Sequence, residues 1–374
     1  IVPWAIARSY GGGLKRSTLR SVYWRLALGC YPTTDLAPPK APTRCDMEAG
    51  APAGTTSKNV EIVESWAPHV QASREHYRAL QRKVLAKPSV GEEGEEDATD
   101  NNPLHPRNVE WQDYFQRMDW GKVVEKDLNR LDLHETLDPF FAIPRLQAAM
   151  RAVLMTWAAA NPHVGYKQGM HELAAALVLL CIRDARRRTI EEKEYGLQDE
   201  SDHAKRLRKA LNVLLDLEEF EADCFTMLDH MLNKFRLREW YQQGDTPGEV
   251  SAVERCVHIQ NALVAKIEPM LAEHLVHLGV EPQVYALRWL RLLFLREFLL
   301  EDCFILWDAV FAHGHATGEG CDLARWIMVV MLQYVKTDLL EADYAFCIRR
   351  LMRFPPAPDI HLFVSSGLQV GCCE

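Results

Sequence analysis

The chain has 374 residues, 48% of them hydrophobic, which is ample for a buried core in one large domain or two. A formal net charge of -9 excludes the broad basic footprint of a nucleic-acid binder, and the basic run Arg183 to Arg188 is too local to reverse that. Ten cysteines lie scattered in apolar stretches without a C-x-x-C pair, the pattern of reduced, intracellular usage.

In chain order, Gly11-Gly12-Gly13 precedes a first helix over Leu14 to Leu28, with Leu19, Val22, Tyr23, Leu26 and Ala27 on its apolar face. Cys30 to Thr56, rich in proline, alanine and threonine, reads as linker or surface loop, and a helical pattern resumes over Val60 to Leu85. Glu92 to Asp97 belongs to a solvated acidic loop punctuated by Asn101-Asn102-Pro103-Leu104. Trp111, Tyr114, Phe115, Met118 and Trp120 then open an amphipathic stretch. A further helical pattern, Leu146 to Ala160, is broken by Asn161-Pro162-His163-Val164-Gly165. Beyond it Leu173, Leu177, Leu180 and Cys181 recur at helical spacing, while charge dominates Arg183 to Arg208, which reads as surface insertion and exposed helix. The longest apolar run, Leu173 to Ile182, is about half of the roughly 20 residues a membrane span needs, so no transmembrane segment is expected. After Pro247-Gly248, helices are predicted over Val257 to Leu278, Pro282 to Leu300, Asp302 to Ala312, Asp322 to Val335 and Leu339 to Phe354, where Pro355-Pro356 stops the pattern. Period-two alternation is scarce and no repeat recurs, so the fold class is all-α, without the strand-loop-helix unit that cradles phosphate. The start at Ile1 and end at Cys372-Cys373-Glu374 read as a piece excised from a longer protein.

Two short stretches carry chemistry. In Val124 to Arg130, Asp127 and Arg130 stand three apart and on a helix share a face. The plain reading is an exposed ion pair, worth about 0 to 1 kcal/mol. The sharper one has Asp127 holding the base of Arg130 while its guanidinium reaches a phosphate, because a planar cation stabilises charge developing in phosphoryl transfer. In Tyr166-Lys167-Gln168-Gly169-Met170-His171-Glu172-Leu173, Gln168 falls at a loop-to-helix junction. An uncharged amide there either caps backbone donors or orients a water, and Gly169 allows a close approach. Trp289 and Trp307-Asp308 read as core, and Arg288, Arg291 and Arg296 as an ordinary polar stripe. Catalytic alternatives fail on spacing. Ala175 stands where H-E-x-x-H needs its second histidine, and neither His274 with His277 nor His313 with His315 gains the ligands to complete a metal site. No G-x-S-x-G elbow or cysteine-nucleophile signature occurs.

Together these stretches resemble the TBC domain family of Rab GTPase-activating proteins. Its I-x-x-D-x-x-R signature appears as Val124 to Arg130, and its Y-x-Q-G-M appears intact as Tyr166 to Met170, with Gln168 following Arg130 by 38 positions. The similarity extends from Leu19 to Leu26, through Pro282 to Phe298, to Leu306-Trp307-Asp308. Lys167, His171-Glu172-Leu173, Asn101 to Leu104 and Arg288 to Phe298 look most like the member-five, endosomal and retromer-associated branch. The resemblance implies an all-α fold of two packed helical lobes over residues 10–365, with surface insertions around 30–56, 88–103 and 183–250 and terminal extensions at 1–9 and 366–374. It further implies that Arg130 and Gln168 act as a dual catalytic finger supplied in trans to a GTP-bound Rab, with Asp127, Tyr166 and Gly169 supporting them. GTP and magnesium would belong to the Rab, so no cofactor or metal of its own is expected. Retromer would be a further partner, and the setting cytoplasmic, peripheral on endosomal membranes. Family members commonly continue the arginine motif as R-T-x-P, whereas Arg130 is followed here by Leu131-Asp132-Leu133-His134-Glu135. That departure keeps a catalytically weak Rab-binding or retromer-binding adaptor as the alternative.

Overall fold

A computed structural model describes residues 19–32, 53–86, 109–131, 137–195, 201–244 and 248–371. Asn101 to Leu104, the acidic loop and residues 132–136 lie outside these. Among the described residues every regular element is helical. The first set comprises α1 (Arg20–Ala27), α2 (Ala53–Leu85), α3 (Val109–Leu128), α4 (Asp138–Phe141), α5 (Pro144–Ala160), α6 (Met170–Tyr195), α7 (Asp202–Leu214) and α8 (Phe220–Asp229). The second comprises α9 (Ala252–His258), α10 (Ala265–Ile267), α11 (Pro269–His277), α12 (Ala286–Arg291), α13 (Leu300–Thr317), α14 (Leu323–Tyr334), α15 (Lys336–Leu340), α16 (Tyr344–Met352) and α17 (Ile360–Gly371). Within the first set α8 packs on α2, α5 and α6, and α5 on α2 and α6, with α3 against α5 and α7 against α2; within the second, α14 packs on α12, α13 and α17. One apolar core runs through both sets, from Tyr23 to Phe363. No described helix is long and apolar enough to cross a membrane.

The short helix α1 joins the sets, and all of its residues are buried. Trp24 lies between Phe304, Trp307 and Phe311 of α13, with ring centroids 5.1, 5.3 and 5.4 Å away. Such burial is tolerated where its polar groups find partners. Asp308 accepts from Trp24 Nε1 at 2.7 Å and from Arg20 Nη2 at 3.1 Å. Arg25 pairs with Asp223 at 3.1 Å, and Arg74 of α2 donates to both oxygens of that carboxylate at 2.9 and 2.8 Å. Trp289 and Trp307 are fully buried, as their apolar faces predict.

Three expectations are corrected. Residues 183–250 are not one surface insertion: α8 is a core helix, with Cys224, Met227 and Leu228 wholly buried, and Leu237 and Tyr241 follow it inside. The charge ahead of them, on the end of α6 and on α7, hides that core from a compositional reading. The C-terminal extension expected from residue 366 begins within α17, whose Gly367 is buried against Ile327. The continuous helix expected over Pro282 to Leu300 stops at Arg291, and Leu293 and Phe294 take left-handed φ values of 45° and 68°. Such backbone costs on the order of 1–3 kcal/mol per residue. Complete burial of both side chains offsets it, at about 1.5–3 kcal/mol each. The turn is held from outside: Leu293 O accepts from Trp307 Nε1 at 2.8 Å, and Phe294 N donates to Trp289 O at 2.8 Å.

Candidate functional site

Helix α3 ends at Leu128, where buried Val124 and Leu128 hold its last turn against the core. The next amides close tighter turns, Arg130 N donating to Asp127 O at 3.1 Å and Leu131 N to Leu128 O at 3.3 Å. Arg130 therefore stands exposed just past a fixed helix end. The shared helical face expected for Asp127 and Arg130 does not survive this unwinding. Asp127 is 8% exposed, and its carboxylate does not pair with Arg130; it accepts from the Tyr166 hydroxyl at 2.8 Å.

Tyr166 belongs to the loop between α5 and α6. Asn161 shapes that loop by accepting from Val164 N at 3.0 Å and Gly165 N at 2.9 Å while its side chain donates back to Trp157 O at 2.9 Å. Gly165, at φ 63°, leaves no room for a side chain, since a Cβ would stand 2.6 Å from the Trp120 ring of α3. Gln168 follows as an exposed turn residue, with buried Tyr166 before it and buried Met170 at the start of α6. Buried anchors on either side thus fix the backbone that carries an exposed amide. Among the described residues the Gln168 side chain makes no hydrogen bond, so it does not spend its amide on capping α6. Gly169 has φ 103°, and a Cβ there would lie 2.9 Å from Leu292 Cδ2. The backbone angle requires glycine, and the approach of the Leu292 side chain leaves little space beside it.

The Tyr166 hydroxyl joins the two loop ends. Burial first, and the Asp127 carboxylate second, push its pKa far upward, so it remains a phenol and a donor. Its single hydrogen goes to Asp127, and the 3.0 Å contact to His171 Nδ1 is then a bond in which the imidazole N–H donates to the phenol oxygen. Burial lowers the His171 pKa against the pull of Glu172 and Asp127, which favours the neutral ring this arrangement uses. Glu172, 2% exposed, is gripped by Arg296 through contacts of 2.6, 2.9 and 3.1 Å. Arg291 lies over the Tyr241 ring at 4.9 Å and donates through Nε to Trp240 O at 3.2 Å, while Tyr241 donates to Arg291 O at 3.0 Å.

All five residues singled out from the sequence, Arg130, Gln168, Asp127, Tyr166 and Gly169, thus belong to two loop ends joined through Tyr166. The sequence matches the Rab-GTPase-TBC domain over residues 92–340. The chain belongs to the Rab-GTPase-TBC domain family. It is similar to TBC1 domain family member 5 of Homo sapiens, 26% identical over 383 residues that cover 96% of this chain and 42% of that protein. It is also similar to TBC1 domain family member 5 homolog B of Dictyostelium discoideum, at 21% identity over 97% of this chain and 41% of that protein. The chain therefore spans about two fifths of the length of these relatives. Its fold matches the crystal structure of the Ypt/Rab-GAP domain of Gyp1p with a TM-score of 0.60 and 17% identity, covering 96% of this chain and 89% of that one. In this TBC domain the polar stripe expected from Arg288, Arg291 and Arg296 is dispersed. Arg288 pairs with Glu297 at 2.8 Å, Arg291 braces Tyr241, and Arg296 binds Glu172. His171, Glu172 and Arg296 are members of the site that spacing did not identify; the pairing of Glu172 with Arg296 crosses 124 positions of sequence.

Proposed function

We propose that this chain activates GTP hydrolysis by a Rab-family GTPase, supplying Arg130 and Gln168 in trans and turning over no substrate of its own. The observation that carries the reading is the Tyr166 hydroxyl, bonded to Asp127 three residues before Arg130 while lying two residues before Gln168. Membership of the Rab-GTPase-TBC family supports the choice of partner. In this mechanism the Gln168 amide oxygen accepts from the attacking water and its NH₂ is free to donate, holding that water in line with the γ-phosphorus. As the water oxygen bonds to phosphorus and the bond to the β-γ bridging oxygen breaks, the water's proton passes to the released phosphate and negative charge grows on the transferring group and the leaving diphosphate. The Arg130 guanidinium neutralises it, an effect worth about 10³ to 10⁵ in rate when an arginine is supplied in trans. GTP and magnesium are contributed by the Rab. On the motifs that resemble the member-five branch, we further propose endosomal membrane traffic as the setting and retromer as a further partner.

Single-turnover GTP hydrolysis across a panel of GTP-loaded Rabs tests this. At least one Rab is expected to be accelerated, and Arg130→Ala and Gln168→Ala are each expected to remove most of that acceleration while leaving the helical signal unchanged. Full acceleration by both variants would refute the finger roles. GTP-dependent Rab binding without acceleration would establish the adaptor reading, which the sequence after Arg130 keeps in view.

A further inference from the structure

The charged stretch ahead of the core helix α8 is not absorbed by the fingers. Lys205, Arg206, Arg208 and Lys209 fall within one and a half turns of α7, in a chain whose net charge is -9. Arg206 turns away to donate through Nε and Nη2 to Glu64 of α2. The other three line an open recess of about 810 Å³ between α7 and α2, where Arg74 and Arg78 meet them from the opposite wall. The cations on each wall stand three or four residues apart, so they share one side of each helix and repel one another. Lys205 and Lys209 make no ion pair among the described residues.

Carboxylates at the recess only partly oppose this charge. Glu219 is already paired with Arg78, and Asp216 accepts from Glu218 N at 3.0 Å to start the turn before α8. Of the lining carboxylates, Glu75 alone has no such role among the described residues. The floor is preorganised: Arg74 is 5% exposed, and its Nε and Nη2 are bound to Asp223 at 2.9 and 2.8 Å. Asn212 adds a neutral side chain able to donate.

We infer that the α2–α7 recess binds a compact, multiply phosphorylated anion, the chemistry shared by inositol polyphosphates and phosphoinositide headgroups. Several phosphates on a small ring can engage the lysines on one wall and Arg78 on the other at once, with Arg78 exchanging Glu219 for a phosphate above the Arg74–Asp223 floor. A volume within the usual range of ligand sites suits such a molecule better than an extended acidic peptide, which would contact the recess over a short part of its length.

Titration calorimetry of the purified chain with inositol hexakisphosphate, together with sedimentation on phosphatidylcholine vesicles with and without phosphatidylinositol bisphosphate, tests the inference. Saturable binding is expected, weakened about tenfold or more in the Lys205→Ala/Lys209→Ala variant. Glu75→Gln should bind several-fold more tightly, a gain that misfolding cannot produce, and Arg130→Ala should bind as the wild type. Binding of the soluble anion alone assigns the site to a free metabolite, whereas added phosphoinositide-dependent sedimentation, lost in the lysine variant, assigns it to a lipid headgroup. The proposal is overturned if neither probe binds, or if the lysine pair matters no more than Lys122→Ala/Lys266→Ala. It is equally overturned if polyglutamate of matched charge competes as well as the phosphate, because the recess would then favour a protein partner.

Discussion

Tyr166→Phe removes one oxygen and leaves the ring volume in place, so it isolates the hydroxyl that joins the two loop ends. The lost bonds are the 2.8 Å donation to the Asp127 carboxylate and the 3.0 Å acceptance from His171. A hydrogen bond to a charged group contributes about 1.5–3 kcal/mol and a neutral one about 0.5–1.5 kcal/mol. Asp127 is 8% exposed, so little water is available to replace its donor. The expected destabilisation is therefore about 2–4 kcal/mol, read from the urea midpoint at constant slope. Loosening the loops should also misplace Arg130 and Gln168, and a displacement of about 1 Å can cost on the order of 10²-fold in rate. Stimulated single-turnover hydrolysis should accordingly fall by about tenfold or more even where the variant is fully folded. A cycle with Asp127→Asn, which keeps an acceptor but not the charge, should show coupling of about 1–2 kcal/mol between the two positions. If Tyr166→Phe unfolds within about 0.5 kcal/mol of the wild type and stimulates the Rab undiminished, the tyrosine is a bystander and the joining argument fails.

Gly169→Ala should lower stability by about 1–3 kcal/mol and reduce stimulated hydrolysis, because φ 103° is a backbone angle that a side chain strains; an unchanged urea midpoint would contradict that strain. Arg296→Ala should cost about 1–3 kcal/mol, between the ranges for exposed and for buried ion pairs because Arg296 is half exposed while Glu172 is buried. Adding Glu172→Gln should recover part of that loss in the same unfolding assay, since no buried charge is then left alone. Burial raises the Glu297 pKa from 4.5 to about 7 despite the Arg288 ion pair, so its proton-linked stabilisation is present below about pH 4.5 and is lost as pH rises through about 7. His171 and His230, lowered by burial, have the opposite sign: their contribution is present above the ordinary histidine range and falls away as pH drops through their folded pKa values. In Glu297→Gln, unfolding free energy relative to the wild type should therefore rise from about pH 5 to pH 7; a flat difference would contradict the raised Glu297 pKa.

Local spacing was sufficient for the all-α class, for α1, α2, α5 and α6, and for Gln168 at a helix start, because a helix writes its buried face into positions three and four apart. The two signatures likewise named Arg130 and Gln168, since short motifs preserve residue type at fixed separation. Other features depended on contacts that no local period records. Asp127 finds Tyr166 39 positions away, in place of the arginine three positions on, because the helix ends between Asp127 and Arg130. Arg296 acquires its partner across 124 positions just past the left-handed bend at Leu293 and Phe294. That bend could not be read from an apolar run compatible with a continuing helix. It exists because Trp307 and the surrounding core supply partners and burial that offset its strain, and those are properties of the assembled fold.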